Sequence, residues 1–181
     1  MVPWGKENVI LVRPDASYAA EIKSYRTEML LANSTMDGTG VLKRLENPLD
    51  WLYYNKTREN PDTVPEDKVL ETQFVLTDTD SKRIYGMIQV RHKLNEYLRN
   101  YAGHIGYSVR PTERRKGYAI KMLKLALKFC KEELGMEKVL VSCLVENEPS
   151  RRTIQACGGV LEETVYEHIE GVWLEKYWII L

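Results

Sequence analysis

Residues 104–130 read HIGYSVRPTERRKGYAIKMLKLALKFC, and they join a β-type run, a basic turn and an amphipathic helix. The β-type run ends at a proline, which cannot donate a hydrogen bond to a neighbouring strand. From Tyr118 onward, apolar residues recur at steps of three and four on one helix face, and lysines occupy the opposite face. The run KVLVSCLV (138–145) follows and is nearly all apolar, as in a strand covered on both sides. The stretch therefore predicts a βαβ unit in which strands 104–110 and 138–145 are parallel.

The rest of the chain extends this unit into a mixed sheet. Alternating or β-branched runs predict five further strands, and helical spacing with capping residues predicts three further helices. These elements are strands at 8–14, 69–77, 83–91, 160–168 and 172–181, and helices that begin at Asp15 and span 47–56 and 149–156. The predicted fold is α/β (α+β), in a single domain 1–181. Its sheet is mixed and mostly antiparallel, with the central parallel pair 104–110 and 138–145, and it is flanked by helices.

Composition and charge restrict the classes of protein to consider. Of 181 residues, 44% are hydrophobic and 29% are charged, which fits one soluble globular domain. Lys+Arg and Asp+Glu balance at 26 each, so anion binding must be local, and the basic stripe with aromatics typical of nucleic-acid binding is missing. No apolar run is long enough to cross a membrane, and the start MVPWGKENVI (1–10) does not resemble a secretion signal. Three separate cysteines without a CxxC pair favour reduced thiols, and we therefore expect a cytoplasmic protein.

The basic turn RRKGYA (114–119) lies where the strand 104–110 leads into the helix that begins at Tyr118. Backbone N–H groups at a helix start lack intrahelical partners, and the helix dipole favours an anion there, above all a phosphate. Gly117 lets ligand oxygens approach those amides, and the two arginines and the lysine add charge-assisted hydrogen bonds. The alternative is a solvated basic turn. The position of the turn at a strand–helix junction favours the phosphate site.

The same turn has the pattern R-x-x-G-x-A, which resembles the pyrophosphate loop [QR]-x-x-G-x-[GA] of the GNAT superfamily of N-acetyltransferases. The chain contains neither the Walker pattern GxxxxGK[ST] nor the dinucleotide fingerprint GxGxxG. The preceding run YSVRPTE resembles the strand before this loop in the family, and NEPSRRTIQACGG (147–159) resembles the family's N-x-x-[SA]-…-G-[FG] segment. The runs MDGTG, AGHIGY and CGG resemble a bacterial branch of the superfamily. Because the predicted element order is also that of the GNAT fold, the resemblance covers essentially the whole chain.

The resemblance implies a site for acetyl-CoA between the fourth and fifth strands. Backbone amides from Arg115 to Ala119 would bind the pyrophosphate, with the Arg114 side chain nearby. The backbone of Val109 would pair with the pantetheine arm as an extra strand does, and no metal is implied.

The reacting end of the cofactor is assigned in the same way. The N–H of Tyr107 would polarise the thioester carbonyl as the acceptor amine attacks. Asn147 would contact the cofactor arm, and Ser150 would cap the following helix, contact the cofactor or do both. The implied cofactor-binding set is Val109, Arg114, Arg115, Lys116, Gly117, Tyr118, Ala119, Asn147 and Ser150.

The general base and acid follow the family pattern less well. Gly103 stands where many members have a glutamate, and Ile154 stands where many have a tyrosine. His104 is the nearest titratable residue on that strand, and it is either a base with a suitable pKa or a structural hydrogen-bonding residue. Tyr166 on a late strand is a candidate acid, and Glu71 is either a cleft carboxylate or a solvated residue on a strand. Proton loss from the amine through water is compatible with both departures.

The sequence therefore predicts an acetyl-CoA-dependent N-acetyltransferase that acts on a primary amine by direct attack in a ternary complex, with Tyr107 and His104 as its catalytic residues. The acceptor, a small molecule or a peptide, would bind between segment 15–68 and the late hairpin. A non-catalytic acyl-CoA-binding module is the alternative, because Gly103 and Ile154 depart from the family pattern. The apolar run 172–181 would suit a homodimer contact.

Overall fold

Seven strands form one sheet in the computed structural model, which describes residues 8–181. Their order in the sheet is β1-β2-β3-β4-β5-β7-β6, and neighbouring strands are antiparallel except for the central parallel pair β4 and β5. This arrangement confirms the predicted mixed sheet. The strands are β1 (Val9–Val12), β2 (Glu71–Asp78), β3 (Ile84–Arg91), β4 (Ile105–Val109), β5 (Lys138–Leu144), β6 (Val160–Glu167) and β7 (Val172–Ile180).

Four α-helices flank the sheet in the described part of the chain, at the places where the sequence predicts them. Asn47 caps the second helix, since its side-chain oxygen accepts a hydrogen bond from the Leu49 N–H at 3.0 Å. The connector before β4 contains a π-helical turn at Leu98–Ala102, which the Gly103 N–H closes by donating to the Leu98 carbonyl oxygen at 2.7 Å. The helices are α1 (Ala19–Leu31), α2 (Pro48–Glu59), α3 (Tyr118–Glu132) and α4 (Glu148–Ala156).

Each face of the sheet is covered by its own pair of helices. The face under α3 and α4 buries the apolar stripe of α3 that the sequence predicts, and the face under α1 and α2 forms a second core. Full burial of one large aliphatic or aromatic side chain contributes about 1.5–3 kcal/mol. The first core includes Phe74, Ile88, Met122, Leu123, Ala126 and Ile154, and the second includes Ile22, Tyr25, Met29, Trp51, Val75 and Met87.

The prediction that the first residues are no secretion signal concerns residues 1–10, of which residues 1–7 lie outside the described part of the chain. From residue 8 to residue 181, no helix combines the length and the apolar character that a membrane crossing needs. The three cysteines are free thiols: Cys130 and Cys143 are buried and Cys157 is partly exposed.

Candidate active site

The parallel strands β4 and β5 separate after a single paired position. Within residues 8–181 they are paired at Ile105 and Val141 and at no later residue. The Arg110 N–H donates to the Tyr85 carbonyl oxygen on β3 at 2.9 Å, so in an antiparallel pair the alternate residues Tyr107 and Val109 turn their backbone groups away from β3. These groups face the gap between β4 and β5, which gives that gap a hydrogen-bonding edge.

The start of α3 lies next to this gap and has no side-chain cap. Gly117 is the N-cap residue, in the left-handed conformation with φ 79°, and the preceding Arg115 also has a positive φ of 62°. By contrast, α2 and α4 both begin at an asparagine whose side chain accepts a backbone N–H. The first amides of α3 therefore receive no hydrogen bond from the side chain of their N-cap residue, because glycine has none, and they carry the positive end of the helix dipole.

The three cations of the loop have different surroundings. Arg114 reaches back across the gap, donating from Nε to the Val109 carbonyl oxygen at 3.1 Å and from Nη2 to Ser34 Oγ at 3.0 Å. Lys116 donates to Glu113 Oε2 at 2.9 Å, and Arg115 is exposed. Although burial opposes ionisation of Glu113, hydrogen bonds from Lys116 and Arg83 hold the pKa of its carboxyl below the ordinary value. This anionic partner fixes the base of the loop while Arg115 faces solvent.

The second predicted segment, after β5, differs from the prediction in one respect. Asn147 caps α4, because its Oδ1 accepts a hydrogen bond from the Ser150 N–H at 3.2 Å. The predicted cap at Ser150 is therefore wrong, since this residue already lies in the first helical turn. Its Oγ is instead 2.8 Å from the Tyr107 hydroxyl. Burial raises the pKa of that phenol well above its ordinary value, so the Tyr107 side chain is a neutral link between β4 and α4.

His104 links β4 to β5 at the paired end. The ring Nδ1 of His104 accepts a hydrogen bond from the Leu140 backbone N–H at 2.9 Å. The backbone N–H of His104 donates to the Leu140 carbonyl oxygen at 2.7 Å. Burial, and secondarily the charge of Arg91, lower the pKa of the imidazole to about 4. Because Nδ1 is already an acceptor, the proton of the neutral ring is on Nε2. This geometry favours the structural role over that of a base.

The two positions that differ from the family pattern, Gly103 and Ile154, are both closely packed. Gly103 has φ 68°, and a Cβ atom there would lie 2.5 Å from the Leu140 carbonyl oxygen. A glutamate therefore does not fit at this position without movement of the backbone. Ile154 is fully buried in the core formed with α3.

The opposite face of the sheet carries polar residues that sequence reasoning did not connect. Glu71 is buried, and its Oε1 accepts from Arg58 Nε at 2.9 Å, so its interpretation as a solvated carboxylate is wrong. Gln73 donates from Nε2 to the Gly38 carbonyl oxygen at 2.9 Å, which holds the loop before α2 against the sheet. The signal in the sequence is the polar residue inside an otherwise apolar strand, as in FVLT after Gln73 and in GMIQV around Gln89.

The remaining predicted candidate, Tyr166, and the aromatic residues of α2 lie elsewhere. Tyr166 is on the late hairpin, where its ring packs against His168 at 4.9 Å and against Trp173 at 5.2 Å between centroids. Trp51 is fully buried and donates from Nε1 to the Thr39 carbonyl oxygen at 2.8 Å, whereas Tyr53 is exposed. In the described residues, no group of three or more His, Cys, Asp or Glu side chains is arranged to hold a metal ion.

Comparison with known proteins identifies a family for this chain. A family model described as "Acetyltransferase (GNAT) domain" matches residues 20–160. A comparison with curated protein sequences gives no significant match.

Three solved structures illustrate the similarity in fold. The ribosomal-protein-S5-alanine acetyltransferase of Vibrio fischeri is 16% identical, with a TM-score of 0.75 over 99% of this chain and 97% of the other. The microcin C7 self-immunity acetyltransferase, solved with acetyl-CoA and AMP, is 15% identical, with a TM-score of 0.69 over 97% and 94%. The dodecameric spermidine N-acetyltransferase of Vibrio cholerae is 18% identical, with a TM-score of 0.67 over 97% and 95%.

Proposed function

The chain belongs to the acetyltransferase (GNAT) domain family, and on this premise we propose that a primary amine attacks acetyl-CoA directly, in a ternary complex of enzyme, cofactor and acceptor. The observation that carries the proposal is the uncapped start of α3 beside the unpaired edge of β4. The start of α3 supplies amides for the pyrophosphate of acetyl-CoA, and the edge of β4 supplies backbone groups for its extended pantetheine arm. Both lie within a few residues of each other along the chain.

The donor site is built mostly from backbone groups. Amides from Arg115 to Ala119 bind the pyrophosphate, helped by the helix dipole, and the exposed Arg115 adds charge. The pantetheine arm pairs with the backbone of Val109. The Val109 carbonyl oxygen has two lone pairs, so it can accept from the arm and from Arg114 together. Asn147 and Ser150 belong to the proposed site because they lie where β5 leads into α4.

The chemistry follows from this placement of the donor. The Tyr107 N–H faces the gap and donates to the thioester oxygen, which gains negative charge as the amine attacks. The nitrogen lone pair forms the C–N bond, the C–S bond breaks, and the thiolate takes up a proton. Because His104 accepts from a backbone amide and has a lowered pKa, we propose that the amine loses its proton to water rather than to this residue.

A direct test combines binding and turnover. We expect acetyl-CoA to bind the purified protein in calorimetry and free thiol to appear only when a suitable amine is added. Absence of acetyl-CoA binding would refute the proposed function.

A second candidate function is an acyl-CoA-binding module without turnover. It is favoured by Gly103, where a Cβ has no room, and by the lowered pKa of His104, since the usual base is missing. Tight binding of acetyl-CoA with no thiol release across amino acids, peptides, polyamines and aminoglycosides would support this reading against the transferase.

The proposal also covers the cellular location and the oligomeric state of the protein. We propose a cytoplasmic location, consistent with the three free thiols. We also propose a homodimer through the late strands, where the edge strand β6 exposes Val160 and Leu161. Size-exclusion chromatography with light scattering tests the second point, and a monomeric mass at micromolar concentration would rule it out.

A further inference from the structure

A cluster of polar side chains lies on the face of the sheet that α2 and the loop before it cover. Glu71 on β2 is opposite Arg91 on β3, and Gln73 is opposite Gln89, so the four side chains share one face. Asn55 of α2 approaches them from above the sheet. We call these five residues the inner polar cluster.

Several hydrogen-bonding atoms of this cluster have no partner. Gln89 Oε1 accepts from Arg91 Nη2 at 3.4 Å, and this fixes the amide orientation, since the reverse would oppose two donors. The Nε2 of Gln89 then has no hydrogen-bond partner among residues 8–181. The same is true of Gln73 Oε1 and Asn55 Oδ1. All three side chains are more than nine-tenths buried. Leaving such a group unsatisfied costs about 1–3 kcal/mol, so a native protein normally supplies a partner from a ligand or from water.

Two of these atoms face the same spot. A Cβ placed on Gly40 would lie 3.2 Å from Gln89 Nε2 and 3.7 Å from Asn55 Oδ1. A donor and an acceptor therefore converge where residue 40 has no side chain.

Arg91 adds an uncompensated charge. Its guanidinium donates from Nη1 to the Gly103 carbonyl oxygen at 3.1 Å and from Nη2 to Gln89, which are both neutral acceptors. In the described chain no carboxylate oxygen lies within 4.0 Å of the Arg91 guanidinium. The carboxylate of Glu71, which is opposite Arg91 in the sheet, is paired with Arg58 instead. Burial lowers the pKa of Arg91 in spite of the more distant Glu71 and Asp37. The residue as a whole is partly exposed.

The position of Arg91 relates the cluster to the reaction. Its Nη2 lies 3.9 Å from where a Cβ of Gly106 would be, and Gly106 precedes Tyr107 on β4. The Tyr107 N–H is the proposed donor to the thioester oxygen. The Gly38 backbone nitrogen is closer to the same point, at 3.1 Å, so the loop that contains Gly38 covers Gly106 on the face of the sheet opposite α3 and α4, and the Arg91 guanidinium lies next to this contact.

We propose that the inner polar cluster binds the acceptor and that Arg91 holds a carboxylate of it, so that the acceptor class is an amine with a carboxylate close by. This inference rests on the proposed function. A guanidinium with no anionic partner binds a carboxylate through charge-assisted, bidentate hydrogen bonds. The oxygens of Gln73 and Asn55 supply acceptors for the amine N–H groups. A polyamine brings only further positive charge to a site that already has an unpaired cation.

The carboxylate can come from a free amino acid or from an acidic residue near a peptide N-terminus, and the experiment separates these sources. Initial rates of thiol release are measured with glycine, aspartate, a peptide with aspartate as its second residue, the same peptide with asparagine there, and 1,4-diaminobutane. We expect at least one carboxylate-bearing amine to exceed the diamine by tenfold or more in kcat/KM. Selectivity for aspartate over asparagine in the peptide identifies a peptide source, and preference for the free amino acids identifies the other.

Variants of Arg91 connect this preference to the cluster. Truncating one partner of a buried charge pair typically costs 2–5 kcal/mol, so Arg91→Met should raise KM for the best carboxylate acceptor by about 30-fold or more. The KM for acetyl-CoA should stay within twofold. Arg91→Lys, which keeps the charge but not the fork of donors, should be intermediate. The exposed Arg44→Met is the matched control, and thermal unfolding of each variant checks folding.

The possible failures are distinguishable. Absence of acetyl-CoA binding in the wild type refutes the proposed function itself. Turnover of the diamine in preference to every carboxylate amine, or equal KM values for wild type and Arg91→Met, overturns the acceptor class and leaves the donor site intact. If no acceptor is turned over, calorimetry of glycine and aspartate with the CoA-saturated protein decides: binding that Arg91→Met abolishes supports the inference, and no binding overturns it.

Discussion

The parallel strands β4 and β5 are joined at one end and open at the other, and the two ends use their backbone groups differently. At the joined end, His104 and Leu140 exchange hydrogen bonds through backbone and ring, and Ile105 pairs with Val141. At the open end, Tyr107 and Val109 face a gap, and α3 begins at Gly117 without a side-chain cap. The same two strands therefore form a hydrogen-bonded junction at one end and, at the other, present backbone groups where we propose that acetyl-CoA binds.

Among the changes considered for the open end, we expect a side chain at position 117 to reduce acetyl-CoA binding most. Gly117→Val places a β-branched residue at φ 79°, which strains the loop by about 1–2 kcal/mol or more and keeps phosphate oxygens away from the amides. We expect the affinity for acetyl-CoA, measured by calorimetry, to fall by at least 100-fold. The fold, followed by circular dichroism, should persist.

The matched control lies at the other end of the same helix. Gly135 also has a positive φ, 62°, and a Cβ there would meet nothing within 4 Å. Gly135→Val should therefore destabilise the protein by a similar amount and leave acetyl-CoA affinity within twofold. Undiminished binding by Gly117→Val, or equal losses in both variants, would contradict the phosphate-loop assignment.

The joined end is weakened by acid. The pKa of His104 is lowered to about 4 in the folded protein, from an ordinary value of 6.5. Between these values the unfolded chain binds a proton that the folded ring does not, so stability is full above pH 6.5 and is lost as the pH falls towards 4. Linkage gives a loss of about 2 kcal/mol by pH 5.

Urea unfolding at pH 7.5 and pH 5.0 measures this loss. His104→Gln removes the titrating group and keeps an oxygen that can accept from the Leu140 N–H, so its free energy of unfolding should fall less between the two pH values. The exposed His168→Gln should behave as the wild type does. The same pH dependence in wild type and His104→Gln would show that the histidine does not hold the strands together.

The elements around the proposed donor site could be predicted from sequence because they are formed by residues that are adjacent in the chain. The loop 114–119, the glycine at the helix start and the strand before it all lie within one βαβ unit, and the structure places them as predicted. Backbone conformation at a strand–helix junction is a local property, and glycine at position 117 signals it directly.

The proposed acceptor site could not be predicted in the same way, because it depends on strand register. Arg91 and Glu71 are 20 positions apart and become opposite only when β2 and β3 pair. Whether Glu71 is solvated or buried then depends on Arg58, which α2 supplies from a third segment. The misassigned cap has a more local cause: Asn147 and Ser150 are both good capping residues three positions apart, and the spacing alone does not decide which one begins the helix.

We expect the smallest effect from changes to Asn147, whose side chain caps α4 near the open end. Asn147→Ala removes the oxygen that accepts from the Ser150 N–H and should cost about 1 kcal/mol in the free energy of unfolding. Asn147→Asp keeps that acceptor and should retain most of the stability in urea unfolding. Because both variants lose the side-chain NH2, a loss of acetyl-CoA affinity common to both would assign a cofactor contact to that group, separately from the cap. If Asn147→Asp is as unstable as Asn147→Ala, the side chain does not cap α4, and the contrast with the uncapped start of α3 fails.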